Sequence, residues 1–168
     1  VKIASYKGTQ AGIKGIANWL IRLRLRGPHS HTEVVFTPDD NVGSLMPDGT
    51  TASIDGAYWC ASSVASEPMP LWSLRRPGRH GGVRFKRIRL EPSKWDLQDT
   101  DRDPLFAARW FRAHEGLPYD WQLIVGFLAW FVPQDDDAYD CTEACAEACR
   151  FPDPFRFDPC NFFCIHAY

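Results

Sequence analysis

The sequence predicts an α+β domain, a small antiparallel sheet packed against helices, on three observations. Residues 1–90 hold short segments that alternate apolar and polar side chains, the mark of half-buried strands. The residues after them place apolar side chains at helical spacing, and strands followed by helices indicate segregated layers. No repeat, low-complexity linker or shift of composition divides the chain, so its 168 residues read as one domain, 1–168.

Residues 1–6 read as a short strand. Residues 12–25 carry Ile13, Ile16, Ala17, Leu20 and Ile21 at helical spacing, an amphipathic helix stopped by Gly27-Pro28. Residues 30–36 alternate as a second strand, with His31, Glu33 and Val35 on one face and Thr32, Val34 and Phe36 on the other. The Gly-, Asp- and Pro-rich stretch 39–56 reads as loop. Residues 57–62 and 83–90 give two further strands, and the Pro/Gly/Arg-rich piece 67–82 between them reads as a long surface connection. Helices are expected over 104–114, 121–131 and 141–149. The aromatic, proline-rich tail 151–168 is expected to pack as irregular structure.

A formal charge of -2 argues against a generic polyanion binder, and nucleic acid is not an expected partner. Arg22, Arg24 and Arg26, the basic region 75–89 and the acidic runs 96–103 and 135–137 read as solvated faces. Residues 1–10 contain no apolar core of a signal peptide. The strongest apolar run, 123–132, is about half the ~20 residues that span a bilayer. The expectation is a cytoplasmic protein without stable membrane insertion.

Six cysteines stand at 60, 141, 145, 149, 160 and 164. Cys141, Cys145 and Cys149 lie four apart, one stripe on a helix rather than the turn-borne C-x₂-C of a zinc site. Cys145 and Cys149 read as small core residues, with metal ligation and disulfide formation as the alternatives. Cys141 differs from them. It follows the acidic Asp140 and opens the predicted helix, where unpaired N–H groups and the helix dipole favour a thiolate. The negative charges of 135–140 oppose that, so a cationic partner is needed. His31 is the histidine within a convincing strand that also has a carboxylate two residues on. It can serve as base and then as acid, and Glu33 can fix its tautomer. A neighbouring strand offers Ser62 as the alternative third polar group, and Tyr6 is a candidate second oxyanion donor beside the Cys141 N–H.

Three segments in this order resemble a known group. They are Gly27-Pro28-His29-Ser30-His31-Thr32-Glu33, Gly116-Leu117-Pro118-Tyr119-Asp120-Trp121 and Asp140-Cys141-Thr142-Glu143-Ala144. Together they resemble the circularly permuted NlpC/P60 (papain-like) cysteine peptidases of the YiiX/YebB-like kind, in particular those carried by bacteriophages and prophages. The likeness covers about residues 1–150. It implies a papain-like fold with the histidine strand ahead of the cysteine helix, Cys141 as nucleophile and His31 as base. It also implies Tyr119 and Asp120 lining the cleft or bracing the nucleophile helix. Thr142 stands where the group has serine.

The expected function is therefore a cysteine hydrolase that cleaves an amide in peptides or peptidoglycan stem peptides through a thioacyl-enzyme. It needs no metal or organic cofactor. A thiol acyltransferase or lipid-ester hydrolase of the same fold, with the 123–132 run walling an acyl channel, is the nearest rival. A zinc-binding or non-catalytic interaction module is the rival from another class.

Overall fold

In the computed structural model, residues 1–9, 12–69, 78–120 and 138–166 are described. The chain forms strand β1 (Lys2–Tyr6), helix α1 (Ile13–Leu25), β2 (His31–Phe36), β3 (Ala57–Pro68), β4 (His80–Arg89) and β5 (Trp95–Asp99). Helices α2 (Pro104–His114), α3 (Cys141–Ala148) and α4 (Pro159–His166) follow. The strands make one antiparallel sheet in the order β4-β3-β2-β1-β5, so the α+β expectation holds.

The sheet's two faces follow from strand alternation. Ile3, Val34, Phe36, Trp59, Ala61, Val83 and Phe85 point into the main core. There they meet Ala107, Ala108, Trp110 and Phe111 of α2 and Ala144, Cys145 and Ala148 of α3. Ala4, Tyr6, Val35, Cys60 and Trp95 form a smaller cluster. β2 is thus buried on both sides, and Glu33, in its middle, is wholly excluded from solvent.

Three helices begin with the same device. Asp103 accepts from the N–H groups of Leu105 and Phe106, Asp140 from Thr142 and Glu143, and Asp158 from Cys160 and Asn161. Each carboxylate caps otherwise unpaired donors, and two are followed by proline, which fits the first helical position.

The structure corrects several sequence expectations. The tail is not irregular throughout: residues 159–166 are helical, and Phe162 is wholly buried among Phe151 and Phe157. The surface connection is shorter than 67–82, because β3 runs to Pro68 and β4 starts at His80. The acidic run 96–103 hides β5, where Lys2 of β1 and Lys7 just beyond it ion-pair with Asp99 and Asp96. The expected helix 121–131 lies outside the described residues.

The β3–β4 pairing is irregular between Val64 and Pro68. Beside the irregularity, the Val83 N–H donates to the Leu117 carbonyl, and Gly82 adopts φ 137°. A methyl group on Gly82 would sit 2.4 Å from that carbonyl oxygen. Gly82→Ala is therefore expected to destabilise the fold by roughly 2–3 kcal/mol, read as a fall in the urea midpoint. A change within error would show that the 116–120 segment is free to move away from β4.

Candidate active site

The site forms where β2 begins and α3 begins. Residues 118–120 run beside 138–140: the Tyr139 N–H donates to the Pro118 carbonyl, and the Asp120 N–H to the Tyr139 carbonyl. That short parallel pairing fixes the approach to α3, whose first residue is Cys141. The helix then lies across β2 and β3. Cys145, one turn on, points its thiol at the Thr32 carbonyl (3.6 Å), so the stripe of cysteines behind Cys141 is core.

His31 stands on the first residue of β2, and 21% of its side chain is exposed. Its Nε2 lies 2.8 Å from Glu33 Oε1. Its ring also lies beside the Cys141 thiol, near enough for the two groups to act on each other's charge. With Nε2 given to Glu33, Nδ1 is the nitrogen left to face the sulfur. Glu33 is held from the other side by Arg84, whose Nη1 and Nη2 donate to Oε2 and Oε1 at 2.8 and 2.7 Å. The result is a continuous chain of contacts: thiol, imidazole, carboxylate, guanidinium.

The electrostatics follow from this order. Burial raises the Glu33 carboxyl, but the Arg84 charge and then the His31 hydrogen bond outweigh it and hold Glu33 at about 2. Burial also disfavours a charged His31. The charge and hydrogen bond of Cys141, followed by those of Glu33, overcome it and raise His31 to about 10. An imidazole raised in this way is the cationic partner that a thiolate requires. Arg84, buried against Glu33, stays charged at any ordinary pH.

Acidic groups crowd the other side of the thiol. Asp140 rises to about 6, through burial opposed by its bonds to the Glu143 and Thr142 N–H groups. Glu143 rises to about 7, through burial and then the Asp140 charge. Tyr119 lies among Cys141, Asp140 and Asp120, and burial pushes its phenol well above the usual range. The Asp140 cap takes the N–H groups of Thr142 and Glu143, so the Cys141 N–H lies outside the capped pair, beside its own sulfur.

The structure thus brings together Cys141, His31, Glu33 and Tyr119, with Asp120 buried behind them. Tyr6 pairs with His31 across β1 and β2, and its ring packs edge-on against Trp95 at 4.9 Å. Trp95 in turn lies 6.4 Å from the His31 ring, so the indole, backed by Tyr6, stands beside the imidazole. Ser62 is elsewhere in function: it is wholly buried, donates to the Thr32 carbonyl at 2.6 Å and lies 3.5 Å from the Cys141 carbonyl. That position ties β2, β3 and α3 together and offers nothing to a substrate.

Two residues of the site were missed in the sequence. Arg84 was read as part of a solvated basic face, yet it is only 3% exposed. Its signal is its register: Arg84 pairs with Ser62 on β3, one strand away from the buried carboxylate of β2, and such a carboxylate needs a cation. Trp95 was hidden by the acids around it, although Trp95 and Leu97 alternate with polar residues as a strand should. Two other histidines, His29 and His114, are structural. His29 is buried against Asp96 and Phe163, and His114 stacks on Trp110 at 4.0 Å.

The remaining cysteines are dispersed: Cys60 and Cys149 are buried in separate clusters, Cys160 donates to the His29 carbonyl, and Cys164 is exposed on α4. Among the described residues no three His, Cys, Asp or Glu side chains gather around a point fit for a metal ion. No family model, curated protein or solved structure matches the chain.

Proposed function

We propose that the protein is a cysteine hydrolase of papain-like fold in circularly permuted order, acting on an amide bond through a thioacyl-enzyme. The observation that carries this reading is the position of the His31 ring, between the Cys141 thiol and the Glu33–Arg84 ion pair. A histidine placed only for packing has no need of a buried, doubly anchored carboxylate on its far nitrogen.

In the first step the Cys141 sulfur attacks the substrate carbonyl carbon, and the oxygen takes the negative charge beside the Cys141 N–H at the start of α3. The imidazolium of His31 gives its proton to the leaving nitrogen as the C–N bond breaks. Water then enters, His31 takes its proton, and the resulting hydroxide displaces the thiolate from the acyl carbon. Glu33 holds the ring in one tautomer and balances its charge through both steps. Trp95, braced by Tyr6, keeps the ring from swinging away. Peptides, and peptidoglycan stem peptides in particular, are the substrates that the motif resemblance favours.

Transfer of the acyl group to an acceptor other than water uses the same intermediate, so one experiment separates the outcomes. Protein quenched during incubation with stem-peptide fragments or activated acyl esters is weighed intact and mapped. An acyl adduct on Cys141, absent from Cys141→Ala, is expected, with peptide cleavage faster than ester cleavage. Faster turnover of long-chain esters would move the assignment to the acyltransferase class. No adduct from any probe would end the hydrolase reading.

A further inference from the structure

The site leaves α1 without a role, and this helix carries an exposed apolar stripe. Ile16, Trp19, Leu20 and Leu23 follow the spacing i, i+3, i+4, i+7, so they form one stripe, and they are 60%, 55%, 40% and 59% exposed. The helix and its C-terminal cap carry Lys14, Arg22, Arg24 and Arg26 and no acid. The first acidic residue of the chain is Glu33, whereas the rest of the sequence is strongly acidic. Arg22 donates to the carbonyls of Lys7 and Gly8, which anchors the helix to the end of β1 and holds the stripe outward. Arg24 and Arg26 are exposed at the stripe's C-terminal end.

We propose that α1 is a docking element for an anionic membrane surface, lying in the plane of the lipid headgroups with Ile16, Trp19, Leu20 and Leu23 inserted. Two features favour a bilayer over a second copy of the chain. A two-fold contact through this stripe would set against each other two helices that carry basic side chains and no acid, in whichever direction they cross. Four side chains also fall short of the ~800 Å² per partner of a stable interface. An anionic bilayer supplies both complements at once, an apolar layer for the stripe and negative headgroups for its basic flank, and tryptophan favours that boundary. The helix spans nothing: among the described residues no helix is long and apolar enough to cross a membrane. From its cap the chain runs through Gly27-Pro28 directly into His31, so docking brings the β2 end of the site to within a few residues of the lipid.

The docking does not depend on the proposed chemistry. It is tested by flotation of the full chain with phosphatidylcholine vesicles, with and without about one-third phosphatidylglycerol. The expected result is flotation with the anionic vesicles, weakened by salt, and reduced about tenfold or more in Trp19→Ser/Leu23→Ser. Those positions are exposed, so the melting temperature of the variant stays that of the parent. Cys141→Ala floats like the parent, which separates this result from any failure of catalysis. Three outcomes overturn the proposal: no flotation with anionic vesicles, equal flotation of the double variant, or equal binding to neutral vesicles. A dimer dissociated by Leu23→Ser, with no vesicle binding, identifies a second copy as the occupant instead.

Discussion

Arg84→Met is expected to destabilise the protein by about 3–5 kcal/mol, because it strands the Glu33 carboxylate in a wholly buried position. For a chain of this size that is a fall of roughly 10 °C or more in Tm. The two Arg84–Glu33 hydrogen bonds are short and parallel, and Arg84 is too deeply buried for water to replace them. Methionine fills a similar volume, so the loss is electrostatic rather than a cavity. The double variant Arg84→Met/Glu33→Leu removes both charges and is expected to recover most of that loss. It should not recover Cys141 reactivity, since His31 then lacks its orienting carboxylate. A single variant within about 1 kcal/mol of the parent would show that Glu33 is not held as an ion in the folded protein.

Stability is expected to peak between about pH 4 and 5 and to fall toward neutrality, the reverse of ordinary acid denaturation. Four groups at the site dominate the profile. Glu33 titrates at about 2 in the folded chain, below its unfolded value, so its contribution is complete above about 4.5 and is lost as pH falls toward 2. His31 is raised to about 10, so its contribution is complete below about 6.5 and is lost as pH climbs toward 10. Asp140 and Glu143 are raised to about 6 and about 7, so the folded state holds their protons longer than the unfolded one. Each becomes a liability as pH rises through the window between its unfolded and folded values, worth roughly 3 kcal/mol for a fully buried carboxyl. Asp120 and Glu147 add negative charge around Glu143 and sharpen the effect. Urea midpoints measured from pH 4 to 8 should therefore decline above pH 5, and Glu143→Gln should flatten the slope. Midpoints that rise between pH 5 and 7 would mean that these carboxyls are solvated or paired.

The parts of this arrangement legible in the sequence are those set by local rules. Alternation placed His31 and Glu33 on one face of a strand, and that spacing lets Nε2 reach Oε1 at 2.8 Å. Asp140 before Cys141 marked the start of α3. Asp158-Pro159 is the same kind of start signal, passed over because the surrounding prolines and aromatics suggested irregular chain. What the sequence hid was set by register between distant strands. Arg84 alternates with apolar residues as any surface arginine on a strand would, and only the placing of β3 between β4 and β2 aims it at Glu33. Ser62 shows the converse. Its strand and position suggested a cleft residue, but α3 packs over that part of the sheet and takes its hydroxyl into the core.

The central claim, that Cys141 and His31 form a reactive pair, is tested most directly by limiting iodoacetamide at neutral pH followed by peptide mapping. Exposure alone would favour Cys164, which stands open on α4, over Cys141, which is 7% exposed. Cys60, Cys145 and Cys149 should stay unmodified, since burial pushes their thiols up. The pairing predicts that Cys141 is alkylated first, and that His31→Ala slows it about tenfold or more while leaving Cys164 unchanged. Labelling led by Cys164, with Cys141 slow and indifferent to His31, would contradict it.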